Sequence, residues 1–222
     1  MAPEETLPGT VEAYATAIGP DTDALIDEMG AQAEAEGFPH VGPAVGGWLA
    51  MLARFAGAKR VFEFGSGFGY SAYWFARELP ADGEVVLTEV DADELDDARA
   101  YLDRGGFDVT IRFEHGDAID IVDGYDGPFE VVLIDNEKER YDEALEAVRS
   151  KVPVGGVVVA DNMTAGPFAF EEIHRLVVGG GGEREGTVGG VAAYLDHVRD
   201  DPGFETTLLP LGEGLAVSRR VA

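Results

Sequence analysis

The sequence predicts an α/β fold: a single doubly wound domain built on a mostly parallel sheet, with an N-terminal helical cap. Three observations carry this. From residue 60 onward, short β-rich runs alternate with stretches of helical period, the pattern of βαβ units and of a sheet covered on both faces. The first run ends in a glycine-rich turn. Acidic residues stand at the ends of the later runs, where open α/β sheets bind their ligands.

Taken in order, residues 9–18 and 21–36 carry scattered apolar and small residues and read as helices. Residues 44–57 (AVGGWLAMLARFAG) read as an apolar helix that packs on the domain. The strand runs are RVFEF (60–64), EVVLTE (84–89), VTIRFEH (109–115), FEVVLID (129–135) and GVVVAD (156–161). Between them lie YSAYWFARELP, DADELDDARAYLDRG and KERYDEALEAVRSKV. In the last of these, Tyr141, Ala144, Leu145, Val148 and Val152 keep helical spacing. FETTLLP, LGEG and LAVSRR close the chain as two strands around a turn, which makes seven strands with the last antiparallel to its neighbour. The glycines of residues 179–190 (GGGGEREGTVGG) predict a flexible loop. Residues 1–58 form the cap and 59–222 the ligand-binding domain.

With 222 residues, 45% of them apolar and 27% charged, the chain suits one sizeable domain that buries about 70% of its unfolded surface. It has no cysteine, which excludes disulfides, thiolate metal sites and cysteine nucleophiles. Its start, MAPEETLPGT, carries acid where a signal peptide needs a basic and then an apolar run. Residues 41–53, the longest mostly apolar stretch, fall short of the ~18 residues of a transmembrane helix. We expect a soluble, cytoplasmic protein. The 43 acidic and 16 basic residues give a net charge of −27, a field that repels nucleic acid and anionic membranes. It suggests adaptation to high salt, where screening lengths are short; the plainer alternative is an acidic protein from an ordinary cell.

The chemistry should sit at the strand ends. Gly65, Gly67 and Gly69 after the first strand let backbone approach a ligand, and Ser71 opens a helix whose N–H groups suit an anion. The same glycines are compatible with a plain tight turn. A dinucleotide fingerprint counted from Gly65 would place bulky Tyr70 at its last position. Glu63, within VFEFG, is costly to bury without hydrogen bonds. Glu89 ends the second strand, where an acid can accept both ribose hydroxyls. Gly116-Asp117-Ala118 follows the third and could flank an adenine. Each acid alone could be a solvated loop residue; placed together at successive strand ends they point to a nucleoside.

The fourth strand ends in Asp135-Asn136-Glu137-Lys138 and the fifth in Asp161-Asn162. Adjacent parallel strands would bring Asp135, Asp161 and the Asn162 carbonyl oxygen to one point, a hard oxygen set suited to Mg²⁺ rather than Zn²⁺. Lys138 would open the fourth helix. A cation there opposes the macrodipole by about 0.3–1 kcal/mol, so helix stability does not explain it. Beside a metal and a helix N-terminus the neutral amine is favoured, as a general base requires; the alternative is a solvated surface lysine. His115, His174 and His197 show no ligand spacing.

In this order E-F-G-S-G-x-G-Y-S, the Glu89 strand end, G-D-A, D-x-x-K and D-N resemble the class I S-adenosylmethionine-dependent O-methyltransferases, in the catechol and caffeoyl-CoA O-methyltransferase-like, cation-dependent branch. The resemblance spans about residues 38–220. It implies a Rossmann-like methyltransferase domain in which Glu63, Gly65, Ser66 and Ser71 hold the methionine end of S-adenosylmethionine, with Val41, Gly67 and Asp135 also at the cofactor. By the same resemblance Glu89 holds the ribose, and Asp117 and Ala118 lie by the adenine. Asp135, Asp161 and Asn162 would bind Mg²⁺, Lys138 would be the catalytic base, and the acceptor would be a catechol-like small molecule, with a homodimer possible. His40 stands where such enzymes often carry methionine. Residues 163–174 and the glycine-rich segment match no substrate-binding pattern. The rival readings are a non-catalytic S-adenosylmethionine-binding protein and an NAD-dependent oxidoreductase on a similar sheet; Tyr70 and the D-N pair argue against the latter.

Overall fold

Residues Val131–Ile134 (β4) and Val157–Ala160 (β5) are unbroken apolar runs, buried along their whole length. That pattern belongs to central strands of a parallel sheet with both faces covered. In the computed structural model, which describes residues 9–222, they are flanked by β1 (Arg60–Phe64), β2 (Glu84–Glu89), β3 (Thr110–His115), β6 (Phe204–Leu209) and β7 (Leu215–Arg220). The N-terminal acidic stretch that argued against a signal peptide lies largely outside the described residues. The seven strands run in the order β3-β2-β1-β4-β5-β7-β6, with β1 to β5 parallel and β7 antiparallel to both β5 and β6. The chain winds outward from β1 to β3 on one side and from β4 to β5 on the other. The switch in direction falls between β1 and β4, where such sheets open a crevice.

Alternation along β1 builds a core on each face. Val61 faces Ile26, Leu49, Trp74 and Leu87, from α2 (Ala24–Glu36), α3 (Gly42–Ala56), α4 (Tyr70–Ala76) and β2; α5 (Ala92–Gly105) adds Leu95 and Leu102 to the same layer. Phe62 and Phe64 belong to the core on the other face, together with Val122 of α6 (Ala118–Val122), Leu145 of α7 (Tyr141–Arg149), Ile173 of α8 (Phe170–Val177) and Val191 of α9 (Gly186–Asp200). Each such side chain, once buried, contributes about 1.5–3 kcal/mol. The helix predicted over 21–36 begins at residue 24, because Asp23 caps it by accepting from Leu25 N and Ile26 N at 3.0 Å. α1 (Gly9–Ile18) has no buried residue. No helix among the described residues is long and apolar enough to cross a membrane.

Two expectations need correction. The predicted flexible loop at 179–190 ends at residue 185, and its second half is the first turn of α9. Glycine there serves close packing: a Cβ on Gly190 would lie 2.3 Å from Lys138 O and 2.5 Å from Glu139 Cα. Lys138 does not open α7; it starts a 3₁₀ turn, Lys138–Arg140, that leads into it. The helix read over 44–57 does pack on the domain, as α3, burying Val45, Leu49, Ala50 and Ala53, while Trp48, Met51 and Phe55 on its other face are exposed.

Candidate active site

β1 delivers Glu63 and Phe64 to the switch point, and the chain turns through Gly65-Ser66-Gly67-Phe68-Gly69 into α4. Gly65 has φ 76°, and a Cβ on it would fall 2.7 Å from Asp135 O. Only glycine meets both demands, so the turn after β1 lies against the end of β4. Ser66 N donates to Thr88 O at 3.0 Å and Gly67 N to Glu89 Oε2 at 2.8 Å. Glu89 Oε1 accepts from Val90 N and Asp91 N at 2.8 and 3.0 Å. Three backbone donors therefore fix this carboxylate at the end of β2.

The turn lines a cleft of about 760 Å³, whose walls include Val41, Gly65, Ser66, Gly67, Ser71, Glu89, Asp135, Lys138, Asp161 and Asn162. A second pocket of about 210 Å³ shares Gly65, Glu89 and Asp135 with it and adds Thr88, Asp117 and Ala118. Glu63 does not reach either wall. It lies fully buried behind Ser71, whose hydroxyl donates to its Oε1, while Oε2 has no partner. Burial pushes the Glu63 carboxyl up to about 8; the Ser71 bond works against this, and the charges of Asp135 and Glu89 add to it. Asp117 caps α6 through Ile119 N at 2.9 Å and pairs with Arg140 Nη1 at 2.5 Å, and the guanidinium holds its carboxyl below the usual range.

Beside the glycine turn, β4 and β5 end in register, Ile134 beside Ala160, so Asp135 and Asp161 leave adjacent strand ends. Asp161 is buried and accepts from Asn162 N at 2.7 Å. Asn162 has φ 63°, a left-handed conformation that asparagine tolerates better than most residues. Tyr141 OH lies 3.4 Å from both Asp135 Oδ1 and Asn162 Oδ1. Lys138 Nζ donates to Asp135 Oδ1 at 2.7 Å. Burial, then the charge of Asp135, holds the Asp161 carboxyl well above the usual carboxylate range; burial also raises Asp135, and Lys138 pulls it back. The four residues singled out for metal and base chemistry thus line one cleft.

The donor set fits a hard cation. Among the described residues no group of three or more Asp, Glu or His side chains is placed to hold a metal. The alternative here is two carboxylates and one amide oxygen, and Mg²⁺ typically takes one or two carboxylates and keeps several waters. The glycine cradle and the cleft volume suit a ligand of cofactor size.

Sequence reasoning missed Glu213, which lines the cleft and accepts from Asn162 Nδ2. β6 runs parallel to β5, so the turn after it, L-G-E-G, opens on the same edge as the others, a relation that only the strand order reveals. It also took Tyr141 for core alone. His40 forms part of the cleft wall, edge-on to Tyr70 with ring centres 4.7 Å apart, and burial holds its imidazole below the usual histidine range. His197 bridges Asp142 and Glu146 across α7 and α9, and is not among the residues lining the cleft.

The profile of one family, described as O-methyltransferase, matches residues 26–221. A catechol O-methyltransferase from Niastella koreensis is 37% identical over 153 residues, covering 66% of this chain and 68% of that protein. A caffeoyl-CoA O-methyltransferase from Petroselinum crispum is 24% identical over 194 residues, covering 80% of this chain and 75% of that protein. Among solved structures, a putative O-methyltransferase from Klebsiella pneumoniae superposes with TM-score 0.80 at 27% identity, over 96% of this chain and 97% of its own. The Streptomyces achromogenes O-methyltransferase TomG, solved in complex with S-adenosylmethionine, shares the fold with TM-score 0.82 at 23% identity, over 96% of both chains. By the match along most of its length, on a Rossmann-like sheet shared with class I methyltransferases, the chain belongs to the O-methyltransferase family.

Proposed function

We propose that this enzyme takes its methyl group from S-adenosylmethionine, uses a divalent cation, Mg²⁺ foremost, and methylates one hydroxyl of a catechol-like small molecule. The observation that supports this reading is that Asp135, Lys138, Asp161 and Asn162 line the same cleft as the glycine turn and Glu89. The catechol and caffeoyl-CoA relatives support the acceptor class. The net charge of −27 supports adaptation to high salt and opposes a nucleic-acid partner.

Gly65, Ser66, Gly67 and Ser71, with Val41 and Asp135, hold the methionine end of the cofactor, and Glu63 steadies Ser71 from behind. Glu89 keeps free lone pairs beyond its three backbone contacts and accepts the ribose hydroxyls. Asp117 and Ala118 flank the adenine in the smaller pocket. Asp135, Asp161 and Asn162 hold the cation. When bound, S-adenosylmethionine supplies a sulfonium methyl group, and the cation supplies the charge that makes a nearby hydroxyl acidic. Lys138, in its neutral amine form, would accept the hydroxyl proton at Nζ. The cleft walls hold acceptor and donor together, and this positioning supplies much of the acceleration.

The test is methyl transfer to a panel of catechols, with Mg²⁺ or with EDTA, in molar KCl. Monomethylated product that depends on added Mg²⁺ is expected. EDTA-insensitive turnover would remove the cation, and cofactor binding without turnover on any catechol would remove the acceptor class.

A further inference from the structure

The carboxamide of Asn162 has two chemically different ends, and the fold treats them differently. Nδ2 donates to Glu213 Oε2, and Oδ1 lies 3.4 Å from Tyr141 OH, which also reaches Asp135 Oδ1 at 3.4 Å. An amide whose nitrogen faces a carboxylate cannot turn over without setting oxygen against oxygen. The Glu213 side chain therefore decides which atom of Asn162 faces the side of Asp135.

Glu213 is not needed to dock its own turn. Thr164 N and Ala165 N donate to Glu213 O at 2.7 and 3.0 Å, Thr164 Oγ1 donates to the same oxygen at 3.0 Å, and Met163 N donates to Gly214 O at 2.9 Å. Gly212 and Gly214 bend the turn at φ 60° and 86°, and a Cβ on Gly214 would fall 2.9 Å from Thr164 N. Backbone bonds and close packing thus fasten the β6–β7 turn to the segment after Asn162. The residue is exposed overall, while its carboxylate lines the cleft and meets Asn162 in a part-buried contact.

We infer that Glu213 is a positioning residue that holds the Asn162 amide with Oδ1 toward the cation, and so sets cation affinity without being a ligand. The inference rests on the reading of Asp135, Asp161 and Asn162 as the cation site. Groups that orient a metal ligand typically change metal affinity 10–100-fold when removed.

The experiment measures Mn²⁺ binding by electron paramagnetic resonance on the full chain, without cofactor or acceptor. Glu213→Leu removes the acceptor of the amide hydrogen, whereas Glu213→Gln keeps an oxygen able to accept it. Leucine should weaken Mn²⁺ binding 10–100-fold and glutamine should retain most of the affinity. Thermal melting checks the fold of each variant, and Glu213→Ala replaces the leucine variant if that one unfolds. Unchanged affinity in the folded leucine or alanine variant overturns the inference. Equal loss in the glutamine and leucine variants also overturns it, since the carboxylate would then bind the ion directly. Absence of Mn²⁺ binding by the unaltered chain, with Asp161→Ala as reference, would instead overturn the cation site itself.

Discussion

Lys138 Nζ donates to Asp135 Oδ1 at 2.7 Å, across the three residues that separate β4 from the 3₁₀ turn. This pairing gives Lys138 two competing roles, counter-ion of a carboxylate and acceptor of a proton, and the first prediction separates them. Lys138→Met should leave S-adenosylmethionine affinity nearly unchanged and cut turnover by roughly 10²–10⁴-fold, the usual worth of general acid–base catalysis. Asp161→Ala should instead abolish stimulation by Mg²⁺, because it removes a proposed ligand. Steady-state rates over a Mg²⁺ titration read both. A methionine variant of ordinary activity would leave Lys138 a counter-ion only.

Glu89 couples the cofactor site to the glycine turn through Gly67 N at 2.8 Å. Glu89→Ala removes that acceptor and the proposed ribose partner together, and each unpaired group costs about 1–3 kcal/mol. Calorimetry should show a marked loss of S-adenosylmethionine affinity. Wild-type affinity in this variant would refute the ribose assignment.

Glu63 predicts a pH dependence of stability. Its carboxyl titrates near 8 in the fold, against 4.5 when unperturbed. Between these values the unfolded chain has released a proton that the folded chain still holds, so this group makes stability fall as pH rises from about 4.5 toward 8. Glu63→Gln carries no titrating proton, so its urea midpoint should fall less steeply than that of the wild type over that range. Parallel pH profiles would show that Glu63 is already ionised in the fold.

Salt should stabilise the fold. At a net charge of −27, dilute buffer leaves self-repulsion unscreened. Exposed ion pairs such as Arg104–Glu28 and Lys59–Asp82 respond in the opposite sense, but surface pairs contribute little. The melting temperature should therefore rise between low and molar KCl. A flat or falling profile would remove the high-salt reading.

The parallel sheet was legible from local pattern, because buried strands such as VVLI and VVVA read as apolar runs between helical stretches. Their register then placed Asp135 beside Asp161, as the strand ends implied. Glu63 was legible as an anomaly but not in its position: an acid within VFEFG looks equally well aimed at the ligand or at Ser71 behind it. α9 was hidden for a different reason. Gly186, Gly189 and Gly190 count as loop residues by propensity, yet Gly190 is used for its missing Cβ against the Lys138 turn.

By itself the sequence determined the elements and the edge of the sheet that carries chemistry, since period, glycine turns and strand-end acids are local properties of the chain. Only the tertiary structure decided that Glu213 meets Asn162, 51 residues away, and that Tyr141 ties Asn162 to Asp135. Those contacts depend on strand order, which places β7 between β5 and β6 and swings the β6–β7 turn over the end of β5. Strand order follows from how both faces of the whole sheet are covered, and no local periodicity encodes it.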